Sequence, residues 1–140
     1  MKKFFVMMLS TAFIISSAVA KIPARVTDAF QARYSKASNV EWDHLVGNYK
    51  ARFNMGEYRL EAKFNGKGKW LGCEKMLGKD RLPETVKNSM EKSKYNRWHI
   101  KSSFEEYSPN KEPTYHIRAA KGDFKRKELV FNHRGQLING

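Results

Sequence analysis

The sequence predicts an α+β fold in which two helix-plus-four-strand repeats form one antiparallel sheet with the helices packed on one face. Three observations carry that expectation. The pattern Phe-Asn-x-x-Gly-x-apolar at Phe64 to Trp70 returns at Phe131 to Leu137, 67 positions later. Each copy follows Tyr-led segments that alternate apolar and charged residues, the period of a half-buried antiparallel strand. Each half also opens on an apolar-Pro pair, Ile22-Pro23 and Leu82-Pro83, followed by apolar residues at helical spacing. Recurrence over such a distance is the mark of one supersecondary unit used twice.

Residues 1–20 read as a secretory signal peptide. Lys2 and Lys3 form a basic n-region, Phe4 to Ser17 is apolar, and Ala18-Val19-Ala20 is an A-x-A cleavage site. The apolar run is short for the roughly 20 residues of a membrane span, so cleavage is expected to leave residues 21–140 as a single domain without a transmembrane segment. Its repeats are residues 21–78 and 79–140.

In the first repeat, Val26, Ala29, Phe30 and Tyr34 make the core-facing stripe of a helix that Ser35 to Asn39 ends. Strands follow from Val40 to about Val46, Tyr49 to Phe53, Tyr58 to Phe64 and Lys69 to Met76, separated by Asn/Gly turns. In the fourth of these, Trp70 and Leu71 compete for the interior. The second helix carries Val86 and Met90 where the first has Val26 and Phe30. Trp98, Ile100 and Phe104 then alternate as the inner side of a strand, and Ser108 to Pro113 forms an extended loop because prolines restrict themselves and the residues before them. Tyr115 to Ala119 matches Tyr49 to Phe53, and strands ending at Phe131 and Ile138 complete the count. Phe30 and Trp42 are expected in the core of the first repeat, Met90 and Ile100 in that of the second.

These residues resemble a family, the PepSY-like proteins of the beta-lactamase-inhibitor-like superfamily, small exported proteins of Gram-negative bacteria. The resemblance is carried by the signal peptide, Ile22-Pro23 with Val26 and Phe30, Val40-x-Trp42, Tyr49-x-Ala51-x-Phe53 and the Phe64 to Trp70 turn. A weaker second copy runs from Leu82-Pro83 to Leu137 and departs from the first at Ser89, Met90 and the Pro109 to Pro113 insertion. Because the matching positions are mostly core and turn residues, the resemblance implies the fold more strongly than the function. It implies a long antiparallel sheet with helices on one face, and an inhibitor or binding role by analogy with the superfamily's namesake.

Without Lys2 and Lys3, the 27 basic residues fall to 25 against 14 acidic ones, a formal net charge of +11 for residues 21–140. That charge favours anionic partners, which for an exported protein means an acidic protein or peptide, or an anionic glycan or lipid, rather than nucleic acid. The lone Cys73 has no internal disulfide partner and reads as a buried structural thiol in a monomeric protein. His44, His99, His116 and His133 fall in separate elements with no metal-ligand spacing and read as surface residues. Gly66-x-Gly68 joins two strands and opens no helix, so it is no phosphate loop. No catalytic set, metal or cofactor is expected.

The informative feature is the polar side of the alternating strands. If Tyr49, Ala51, Phe53, Tyr58, Leu60, Ala62 and Phe64 face the helices, Lys50, Arg52, Arg59 and Lys63 face the other way, joined by Lys101, His116 and Arg118 and flanked by Trp70. These eight are the candidate binding residues. The competing reading is a solvated face on which Glu41, Asp43, Glu61 and Glu128 pair with the cations, each pair worth a few tenths to about 1 kcal/mol. The function supported is a non-enzymatic periplasmic or secreted module that recognises a protein or peptide through this face. The alternative is a carrier or sensor for an anionic small molecule, lipid or glycan, which would need a pocket between sheet and helices.

Overall fold

A computed structural model of the chain describes residues 21–140, and the signal-peptide reading of residues 1–20 lies outside them. Each helix starts one residue after its proline. Pro23 is the N-cap of α1 (Ala24–Arg33) and its carbonyl accepts from the Val26 N–H at 2.9 Å, while Pro83 stands in the same place before α2 (Glu84–Lys92) and accepts from Val86 at 3.0 Å. A proline there loses no intrahelical bond, because the first helical N–H groups have no partner in any case.

Among the described residues the strands are β1 (Ser38–Leu45), β2 (Asn48–Met55), β3 (Tyr58–Asn65), β4 (Trp70–Leu77), β5 (His99–Tyr107), β6 (Thr114–Lys121), β7 (Lys125–Phe131) and β8 (Leu137–Asn139), with a 3-10 turn at Lys79–Arg81. They form one eight-stranded sheet in sequence order, every neighbouring pair antiparallel. Short turns dictate this meander, and α2 fills the one long connection, between β4 and β5. Among the described residues no helix is long and apolar enough to cross a membrane.

Alternation divides the core into two clusters on the helix side. Val26 and Phe30 of α1 pack on Ala51, Phe53, Leu60, Ala62, Phe64 and Cys73. Val86 and Met90 of α2 pack with Leu82, Tyr95, Ile117, Ala119, Leu129 and Phe131. Trp42 and Ile100 lie at the margins of their clusters, half-buried. Phe30 meets Phe53 edge-on at 5.0 Å and Trp42 at 5.3 Å, the geometry aromatic quadrupoles prefer.

Two bulges alter the expected faces. Ile100 pairs with Ala119 but Ser102 pairs with Arg118, so Lys101 is an extra residue and the strand changes side there. Phe104 therefore lies opposite His116 on the side away from the helices, instead of beside Ile100 as simple alternation predicts. The second bulge, between Lys63 and Phe64, leaves Leu71 unpaired and sets Trp70 against Phe64 on the helix side. Val46 lies in the turn after β1, fully exposed, because the strand ends one residue earlier than expected.

The recurrent turn has the same construction both times. The Asn65 side-chain oxygen accepts from the N–H groups of Lys67 and Lys69, and that of Asn132 from Arg134 and Gln136, at 2.9–3.0 Å. These bonds coil the loop so that its glycine reaches a left-handed conformation, φ +83° at Gly68 and +78° at Gly135. Each glycine is pressed against a helix backbone: a Cβ on Gly68 would lie 2.5 Å from the Arg25 carbonyl oxygen, and one on Gly135 would meet the Thr85 carbonyl. Only glycine fits either place.

Two consequences are measurable by denaturant unfolding. Phe30→Ala is expected to cost roughly 3–5 kcal/mol, as for other buried phenylalanines. Gly47→Ala, at φ +74° with open space around it, should cost only the left-handed backbone penalty of about 1–2 kcal/mol. Gly68→Ala should add a further loss of about 1–3 kcal/mol from overpacking against α1. Equal losses for the two glycine variants would show that the turn does not hold the helix.

Candidate functional site

Residues paired across antiparallel strands share a face, so the register assigns each predicted site residue. Glu41 pairs with Arg52, Asp43 with Lys50, Lys50 with Lys63, Asn54 with Arg59 and Ser102 with Arg118, all on the side that no helix covers. His116 joins them through Phe104, and Lys101 stands exposed at the bulge beside them. Seven of the eight candidates are thus on or beside the uncovered face. Trp70 is not: it lies on the helix side, its indole N–H donating to the Tyr34 hydroxyl at 2.9 Å.

The uncovered face is not uniformly basic, since Glu41, Asp43, Glu61, Glu74, Glu106 and Glu128 occupy it in the same register. Across β1–β3 the cations other than Lys63 are engaged. Arg52 donates from Nη2 to Asp43 at 3.2 Å, with its Nε 3.1 Å from the same carboxylate but not hydrogen-bonded to it, Lys50 lies between Asp43 and Glu61 at 3.8 and 3.7 Å, and Arg59 reaches Glu41 at 3.3 Å. These groups are part-exposed, so the pairs order the surface more than they stabilise the fold. Among the described residues Lys63 has no ion pair.

Across β5–β7 the arrangement differs. His116 is 9% exposed rather than a surface residue, because Phe104 stacks beneath it at 4.7 Å and acids bracket both ring nitrogens. Its Nδ1 is 2.8 Å from Glu128, and its Nε2 is 3.0 Å from Glu106 and from the Thr114 hydroxyl. Glu128 also accepts from Arg118 at 3.3 Å. The His116 hydrogen bond, followed by that from Arg118, holds the Glu128 carboxyl below the usual carboxylate range. Beside this cluster, Lys101, Arg118, Arg126 and Lys127 line an open hollow of about 350 Å³ with Ser102, Ala119 and Glu128. Among the described residues Lys101 and Arg126 form no ion pair.

Sequence reasoning missed Arg126 and the hairpin tip next to it. Lys121 lies directly opposite Lys125, a like-charge pair that costs stability, and Phe124 between them is 96% exposed. The signal was present in the run Lys121-Gly122-Asp123-Phe124-Lys125-Arg126-Lys127, but only the turn shows that its aromatic packs on nothing. On the helix side, burial pushes the Cys73 thiol up from its ordinary value, which keeps it protonated and unsuited to nucleophilic attack.

A family model described as "Putative beta-lactamase-inhibitor-like, PepSY-like" matches residues 47–139. Similar solved structures include a DUF2874 family protein of Bacteroides ovatus, 25% identical over 86% of this chain and 87% of that one, with a TM-score of 0.81. A BLIP-like protein of Bacteroides fragilis is 22% identical over 87% of this chain and 86% of that one, TM-score 0.81. A "putative periplasmic" protein of Bacteroides eggerthii is 19% identical over 85% and 87%, TM-score 0.77. Curated proteins give no match. With the family model spanning well over half of its length, the chain belongs to the beta-lactamase-inhibitor-like, PepSY-like family.

Proposed function

We propose that this is an exported, non-enzymatic binding module that recognises an acidic segment of a protein or peptide on the uncovered sheet face. One observation carries the reading: on a sheet side roughly 34 Å across at about 4.8 Å per strand spacing, two cations without acidic partners among the described residues, Lys101 and Arg126, border one hollow at the β5–β7 end, whereas Lys63 stands alone among paired charges. Lys101 and Arg126 supply unsatisfied charge there, and Arg118 is held in place by Glu128. Phe124, at the adjoining hairpin tip, offers the kind of aromatic anchor that dominates interface energetics. Lys50, Arg52 and Arg59, already matched by acids, act as an ordered polar rim with Lys63.

The family's inhibitor-like description supports binding over catalysis, and the protonated Cys73 agrees with it. Export rests on the leader-like residues 1–20. The matching turns, Gly68 on α1 and Gly135 on α2, support two helix-plus-four-strand units, residues 21–78 and 79–140, in one domain. Burial of Cys73 supports a monomer, with no thiol free for an intermolecular bridge.

The test uses tagged residues 21–140 to capture a partner from a periplasmic extract, then measures affinity at low and moderate salt. Lys101→Glu with Arg126→Glu should weaken binding at least ten-fold, whereas Arg52→Glu with Lys63→Glu should weaken it less. Raising salt toward 0.1 M, where screening acts beyond about 10 Å, should slow association first. Unchanged affinity for the Lys101/Arg126 variant with its fold intact would overturn the assignment.

A further inference from the structure

Two helices about 10 Å wide cannot roof a sheet of this breadth, and the two core clusters they cover are separate. At the margin of the first cluster, beside the end of α1 and above β2 to β5, lies a cleft of about 370 Å³. Its floor is Leu60 and Cys73, its walls are Trp70, Tyr34 and Tyr107, and Met55 closes one side. The size and apolar lining are those of a small-ligand site.

Charge at the rim is unequal. The Arg33 guanidinium lies 3.6 Å over the Trp70 ring and forms no ion pair among the described residues. Its N–H groups make no side-chain hydrogen bond among the described residues, so the guanidinium fork is available to bind a carboxylate bidentately. Lys75, on the other rim, is partly neutralised by Glu105 at 3.8 Å and lies over the Tyr58 ring. Burial pushes the Tyr34 and Tyr107 hydroxyls above the ordinary tyrosine range, so the walls stay uncharged. An occupant therefore meets an apolar trough with one available cation at its mouth.

We infer that this cleft is a second binding site, which takes a hydrophobic carboxylate with its chain or ring between Trp70 and Tyr107 and its carboxylate on Arg33. Alkyl and aryl acids share that chemistry. The site is independent of the sheet-face reading, since it lies on the opposite side of the sheet and uses none of the same cations.

Isothermal titration of residues 21–140 with octanoate, 3-phenylpropionate and 1-octanol at pH 7 and constant ionic strength tests it. At least one of the two acids should bind saturably with one-to-one stoichiometry, and which one does so distinguishes an alkyl from an aryl occupant. Arg33→Gln should weaken that acid at least ten-fold and leave 1-octanol unchanged, while Met55→Trp, which fills the cleft from its margin, should weaken both. Arg33 is exposed at the end of α1, so its replacement leaves the core intact. Absence of saturable binding by either acid, or an acid affinity that Arg33→Gln does not alter, would overturn the assignment.

Discussion

The constraint on which the rest depends is the contact of a turn glycine with a helix backbone, made once by Gly68 on Arg25 and once by Gly135 on Thr85. A turn that ends an inner strand on a buried phenylalanine and then touches the helix decides which side of the sheet the helix takes. Phe64 and Phe131 place that strand face, and the Asn65 and Asn132 side chains hold the loop in the shape that makes the contact. Both helices consequently lie on one side. The other side of the sheet is left for solvent or a partner, and the sheet beside the end of α1 is left with a cleft.

Much of this was legible in the residues. Tyr49 to Phe53 and Tyr58 to Phe64 alternate so regularly that only one face assignment buries their aromatics, and Val26 with Phe30 admits only one helix face. What escaped was what bulges control. An extra residue such as Lys101 or Leu71 leaves no mark in an apolar pattern, yet it reverses the sides of everything beyond it. Phe104 thereby became the support under His116, and Trp70, for which alternation left the face open against Leu71, went to the helix side and the cleft. Tyr95, buried beside α2 and accepting from Lys127 at 3.1 Å, lies outside every periodic segment and was equally hidden.

The candidate site was legible as a set of cations but not as an electrostatic surface. Alternation places Lys50, Arg52 and Arg59 on one side, but only the register shows that Glu41, Asp43 and Glu61 stand across from them. A formal charge of +13 for the whole chain likewise says nothing of where the uncompensated part lies. In the fold it gathers at strand ends and turns, most densely from Lys121 to Lys127, where neighbouring strands bring cations face to face. That arrangement opposes folding, as a surface selected for something other than stability would.

The most direct measurement is residue-level footprinting of the protein with its captured partner, comparing modification rates of lysine, arginine and aromatic side chains in the free and bound states. Recognition by the uncovered face at its β5–β7 end requires protection of Lys101, Arg126 and Phe124, with Lys87 and Lys92 of α2 unchanged. Protection confined to α1, α2 and the cleft, with Phe124 and Lys101 as reactive as before, would contradict it.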